Sequence, residues 1–431
     1  MNACQRPRPG IWILLATTLT VALSVGTSAA DDEPRSATAL ASAAEKAYTA
    51  HEFRRAGELL ERAIQRGAKT PAASYESACS YARAGDRDRA FAMLDRAVAM
   101  GFRNVDELTA SNDLAALRGD ARWTPLVSRV TDAHAAFRKA HADPTNARFE
   151  TADIARFWRA YDKLSSAADP ATLLETEYLD IGSAGLQEFI PGRITSGQKL
   201  HQVIQQHPKY FAAIRKATQT LATLEPEVRQ ELRNLQKRYA DATFPDIYYV
   251  IGAMSSGGTS TPSGLVMGVE LFGRGPGVPM DEMNDWHRAV IQDTATLASI
   301  TAHELIHFQQ SWEAHTLLDR AFMEGSADFI ASLISKGNFN KHIYEYGYAH
   351  EAALWRQFRS EMGGSDVSNW LYGGTPRGGR PADLGYFVGF RIAQAYYERA
   401  TDKRQAIRDI IVPPAGVEKI LADSRYGQRF P

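Results

Sequence analysis

His303-Glu304-Leu305-Ile306-His307 is the stretch of this chain whose residue types and spacing could do chemistry. Helix positions four apart lie one turn apart on one face, so both imidazoles can reach a single metal ion. Nitrogen donors suit zinc, which keeps a position for water when the protein supplies only three groups. Glu304 projects beside the two rings and is then the base that takes a proton from that water. The motif therefore predicts a metallohydrolase, foremost a zinc peptidase. The bland alternative makes His303 and His307 ordinary helix residues with local hydrogen bonds, and a second motif downstream weighs against it.

Two helices must position these groups. No Gly or Pro falls between Thr294 and Trp312, and Leu297, Ile300 and Phe308 recur at helical spacing. Residues 317–336 read as a second amphipathic helix, ended by Gly337 and Asn338, with Glu324 and Asp328 on one face. His315 stands between the helices. A metzincin would need Gly at position 310 and His at 313, where this chain has Gln310 and Glu313. His315 is therefore expected at the surface.

HExxH followed by a helix carrying E-x-x-x-D resembles the gluzincin peptidases. That resemblance implies that Glu324 is the third metal ligand and that Asp328 hydrogen-bonds a ligand histidine from outside, fixing its tautomer. It also implies one zinc ion per chain as cofactor.

Around the motifs, residues 246–252 read as a strand by their β-branched and aromatic content. Residues 255–260, Ser-Ser-Gly-Gly-Thr-Ser, read as a flexible connection, and 264–272 as a second strand. Being the last strand before the HExxH helix, the second is the candidate edge for holding substrate by strand addition. A peptidase also needs a donor for the oxyanion. Tyr386 is the first choice, because Gly385 and Gly389 would let substrate or the metal helix come close; His350 and Tyr348 are alternates, and a packed core aromatic is the competing reading of Tyr386. Phe157, Trp158, Tyr161 and Leu164 form a helical stripe read as core. Residues 149–168 and 208–239 read as helices, with 178–186 a loop region between them.

The chain has 431 residues, 44% of them hydrophobic, which is ample for two domains. Its net charge of -1 gives no reason to expect a nucleic-acid partner. Arg6 and Arg8, the apolar run from Ile11 to Val25 and the small residues Ser28-Ala29-Ala30 read as a signal peptide over 1–30, with the mature chain beginning at Asp31. No stable membrane insertion is then expected after cleavage. Removal of that segment leaves a net charge of -3, and Cys79 as the lone cysteine, so no internal disulfide is expected.

Residues 36–135 repeat. Ala56, Leu60, Ala63 and Ile64 recur as Ala90, Leu94, Ala97 and Val98, each offset by 34 residues, the tetratricopeptide period. Such repeats could bind a protein partner or only pack and cap.

Taken in order, the export signal, the short repeat segment, the Ser-Gly-Gly-Thr loop, His-Glu-Leu-Ile-His, Glu-Gly-Ser-Ala-Asp and Leu-Gly-Tyr-Phe-Val-Gly resemble the bacterial predicted zinc-dependent proteases of gluzincin type. The likeness spans about 145–400. The expected fold is α+β and mostly helical: a zincin-like metallopeptidase domain over 140–431 behind a small all-α tetratricopeptide-like domain. The expected location is the periplasm or beyond, and the substrate a peptide or protein. The competing function is a periplasmic protein-binding or quality-control factor whose metal site is structural or idle. An intact Glu304 argues against it, since a structural site needs no base. An aminopeptidase would need an acidic anchor for the free amine, and no recognisable motif for one precedes the HExxH helix.

Overall fold

The computed structural model describes residues 36–68, 70–337, 340–372 and 378–430. The expected signal segment over 1–30 lies outside them. The described chain divides into two compact units between Thr131 and Asp132, within the helix Trp123–Ala140.

The first unit is entirely helical. Helices α1 (Ala37–Thr49) and α2 (Phe53–Gln65) pack together, as do α3 (Pro71–Arg83) and α4 (Arg87–Ala99), and α2 packs on α3. Helices α3 and α4 begin 34 residues after α1 and α2 respectively, so the helix starts keep the period of the sequence. Ala56, Ala63, Ala90 and Ala97 are fully buried, where a small side chain lets neighbouring helices approach. Ser36 and Asp86 cap α1 and α4 by accepting backbone N–H bonds. Cys79 is buried in this unit.

The second unit is mostly helical around one small mixed sheet of order β1-β2-β4-β3, giving an α+β architecture. Strand β1 (Phe149–Glu150) runs parallel to β2 (Asp246–Val250), β2 parallel to β4 (Gly264–Gly268), and β3 (Thr259–Thr261) antiparallel to β4. Strand β2 is buried along its whole length, as its Ile-Tyr-Tyr-Val content requires. The sheet corrects the choice of edge. Residues 264–268 are an interior strand, 269–272 turn into a 3-10 helix, and the edge beside β4 is β3, which overlaps the end of the segment read as a flexible connection. Three residues of Thr and Ser carry too little alternation to announce a strand; pairing with β4 makes it one.

Other boundaries move for similar reasons. Phe149 belongs to a strand rather than a helix, and the helix behind it runs Ala152–Tyr161 with Phe157 and Trp158 fully in the core. The span 208–239 splits into Pro208–Gln219 and Glu225–Arg238 around a 3-10 turn. The segment read as a loop over 178–186 contains the end of a π-helical turn, Glu175–Leu179, and the start of a helix, Ala184–Phe189.

Two helices face the sheet side of the site and its rear. The His helix, Leu297–Gln309, packs on β3, β4 and the helix Glu225–Arg238. Gln309 locks its end, donating from Nε2 to the Thr243 carbonyl and accepting from the Thr243 amide, both at 2.8 Å. The Glu helix, Leu317–Ile334, opens on a capping box: Thr316 accepts from the Asp319 amide while the Asp319 carboxylate accepts from the Thr316 amide. It lies directly on the helix Leu384–Arg399. A Cβ on Gly389 would stand 1.8 Å from the Ala321 carbonyl oxygen, and one on Gly325 would stand 2.1 Å from the Phe390 nitrogen. Only glycines allow that crossing, and it sets the depth of the helix carrying Glu324. Gly385 serves a different contact, against Trp370 and Leu371.

Candidate metal centre

His303, His307 and Glu324 converge, and among the described residues they are the group of His, Cys, Asp and Glu whose donor atoms lie close enough to share a metal ion. The two Nε2 atoms are 2.8 Å apart. Glu324 Oε2 lies 3.1 Å from His307 Nε2 and 3.5 Å from His303 Nε2. All three residues are buried.

The other ring nitrogens are held elsewhere. His303 Nδ1 lies 2.7 Å from Asp328 Oδ1, and His307 Nδ1 lies 2.7 Å from Gln310 Oε1. Neither partner oxygen can donate, so each Nδ1 carries a proton and each Nε2 is the nitrogen left to take a metal or a second proton. Two Nε2 atoms and a carboxylate oxygen then converge inside the protein. Such a group needs a proton or a metal cation among its atoms, and two imidazoles with one carboxylate form a donor set that fits zinc.

Without a metal, protons balance the cluster: burial works against charge on His303, but Asp328 and Glu324 outweigh it and hold its pKa up at about 10, so zinc would bind in place of a proton. Burial likewise opposes ionisation of Glu324, yet His307 and His303 keep its carboxyl well below the ordinary range. Glu304 differs: burial raises its pKa, with His307 and His303 only partly countering. Glu304 lies against the Ser-Gly-Gly-Thr loop, where a Cβ on Gly258 would stand 2.8 Å from Glu304 Cγ and 2.9 Å from Oε1. The loop backbone thus approaches the carboxylate as closely as the absence of a side chain permits.

A further layer supports the first. Asp328 Oδ2 accepts from Tyr344 Oη at 2.6 Å and Asn340 Nδ2 at 2.9 Å. Gln310 Nε2 donates to the Met323 carbonyl at 3.0 Å and to Ser326 Oγ at 3.1 Å, tying the end of the His helix to the Glu helix.

Tyr386 lies beside the cluster, its ring stacked on His303 with centroids 6.1 Å apart. Burial lifts its phenol well above its ordinary pKa, so it stays a neutral donor. Tyr348 and His350 are placed elsewhere: Tyr348 is half exposed under Arg391, and His350 is exposed and stacked on Tyr346. His315 is exposed beside Glu313, outside the cluster. Sequence reasoning missed Gln310, considered only as a residue that breaks another motif, and Tyr372, whose Oη donates to Glu324 Oε1 at 2.8 Å. For Gln310 a signal existed, since a position three beyond His307 shares its helix face. For Tyr372 none did.

A family model described as "Predicted Zn-dependent protease (DUF2268)" matches residues 286–414. The chain is similar to that family over this stretch, which holds the whole cluster, Glu304, Asp328, Gln310, Tyr372 and Tyr386. No curated protein and no solved structure matches the chain.

Proposed function

We propose that this chain is a zinc-dependent peptidase of gluzincin type, exported to the bacterial cell envelope. The carrying observation is the convergence of three lone-pair donors on one point, with both imidazoles pinned through Nδ1 and a buried carboxylate, Glu304, alongside. His303, His307 and Glu324 would hold the zinc, which when bound supplies a Lewis acid and makes water acidic enough to attack a carbonyl.

The chain's own groups do the rest. Glu304 takes the proton from the attacking water and passes it to the leaving amine. Its raised pKa suits a base that must give the proton back. Asp328 and Gln310 hold the rings so that no reorientation accompanies the reaction. Tyr386 donates to the developing oxyanion, while Tyr372 spends its hydroxyl proton on Glu324 and steadies that carboxylate. Strand β3 offers an unpaired edge for the substrate backbone next to the His helix.

Export rests on the charged start, apolar run and small residues of 1–30. The helical pairs with 34-residue spacing support a tetratricopeptide-like domain, through which a protein client could be recruited. The deciding experiment is mass spectrometry of fragments released from an unfolded-protein mixture by the zinc-loaded protein and by Glu304→Gln. The variant should keep one zinc per chain and lose turnover on the order of 100-fold or more. Full activity of Glu304→Gln would refute the mechanism.

A further inference from the structure

Glu324 divides its two oxygens between different partners. Oε2 faces the imidazoles, 3.1 Å from His307 Nε2 and 3.5 Å from His303 Nε2. Oε1 accepts from Tyr372 Oη at 2.8 Å. A carboxylate can bind a metal through one oxygen or through both. With both oxygens and two imidazoles the protein would fill four positions, the number zinc takes in a closed structural site. With one oxygen it fills three and leaves the ion open. The phenol therefore sits on the atom that decides between the two.

The backbone is strained to put it there. Tyr372 has φ +57°, in the left-handed region that disfavours any residue with a side chain. The two residues before it are fully packed: Trp370 and Leu371 are buried, and the Trp370 indole donates to Glu361 Oε2 at 2.7 Å. The Trp370 carbonyl accepts from the Gly385 amide at 2.8 Å, at the start of the helix Leu384–Arg399. That same helix meets the Glu helix at Gly389. One scaffold thus mounts both the phenol and the carboxylate. Turning Oε1 toward the imidazoles would break its bond to Tyr372 and leave the hydroxyl without its acceptor.

We propose that Tyr372 is a positioning residue that confines Glu324 to one metal-facing oxygen, which keeps the centre open for water and substrate and suits it to zinc over ions that favour more oxygen donors. The inference rests on the peptidase reading and deepens it at the metal.

The test compares wild type with Tyr372→Phe, which removes one oxygen atom and keeps the ring. Cobalt(II) takes the place of zinc, because its visible bands are strong in a four-coordinate site, which lacks a centre of symmetry, and weaken as ligands are added. Cobalt-loaded wild type should show strong bands. Tyr372→Phe should show weaker ones, as the freed Oε1 joins the ion. Chelator competition run separately with zinc and with manganese should show manganese gaining on zinc by about 10-fold in the variant, since manganese favours a larger set of oxygen ligands. A merely structural role for Tyr372 would weaken both ions alike and leave their ratio and the cobalt bands unchanged, and that result overturns the proposal while the peptidase reading stands. A crystal structure of the zinc-loaded wild type reads the same point should the variant fail to fold. It should show Oε2 alone on the ion and Oε1 on Tyr372, and two metal-bound oxygens from Glu324 overturn the proposal. Wild type that binds neither cobalt nor zinc brings down the peptidase reading and this inference with it.

Discussion

His303 Nδ1 and Asp328 Oδ1 meet at 2.7 Å, a contact that joins the His helix to the Glu helix and decides which nitrogen of the ring is left to coordinate. Asp328 cannot turn away, because Tyr344 and Asn340 hold its other oxygen. Asp328→Ala should weaken zinc binding roughly 10- to 100-fold while leaving the fold intact. Competition with a chromophoric chelator measures this, and an unchanged affinity would remove Asp328 from the metal site.

Gln310 does for His307 what Asp328 does for His303, with a neutral amide in place of a carboxylate. An uncharged acceptor polarises the ring less, so Gln310→Ala should weaken zinc binding by a smaller factor than Asp328→Ala, on the order of 10-fold. Gln310→Glu, which keeps the acceptor, should bind zinc at least as well as Gln310→Ala. The same chelator assay ranks the three, and a Gln310→Ala protein that binds as wild type does would sever this link.

The crossing of the Glu helix over Leu384–Arg399 depends on Gly389 meeting the Ala321 backbone. Gly389→Val puts a branched side chain against a carbonyl that cannot move without its helix. We expect a loss of about 1–3 kcal/mol or more in stability, seen as a lower midpoint of thermal unfolding. Because Ala321 lies one turn before Glu324, zinc affinity should fall in the same variant. A Gly389→Val protein with unaltered melting would contradict the close approach.

Glu231 supplies a pH test away from the metal. It is buried on the helix Glu225–Arg238, and its two carboxyl oxygens have no geometrically sound hydrogen bond; the Ser335 hydroxyl nearby gives only partial relief. Burial lifts its pKa from the ordinary 4.5 to about 8. Between those values the folded protein keeps a proton that the unfolded chain has released. Stability therefore falls as pH rises through that window, by at most about 1.4 kcal/mol per pH unit from this group. Glu231→Gln has no proton to lose. Its stability relative to wild type should improve steadily from pH 5 to pH 8, as read from urea unfolding at each pH. A difference that stays flat across the range would show that Glu231 does not titrate there.

The sequence by itself determined what is local. The i, i+4 spacings of His303 with His307 and of Glu324 with Asp328 place each pair on one helix face, because helical geometry relates them without reference to the rest of the chain. The 34-residue recurrence of Ala56, Leu60 and Ala63 is legible for the same reason, each unit repeating its own packing rule. The tertiary structure decided what depends on partners distant in the chain. Thr259–Thr261 is an edge strand only because β4 pairs with it, so the edge passed unseen while interior β4 was taken for it. Tyr372 reaches the cluster from a loop that carries no periodic signal. Its neighbours Trp370 and Leu371 lie against Gly385, and such close approaches, like that of Gly389 to Ala321, are fixed by packing in three dimensions rather than by spacing along the chain.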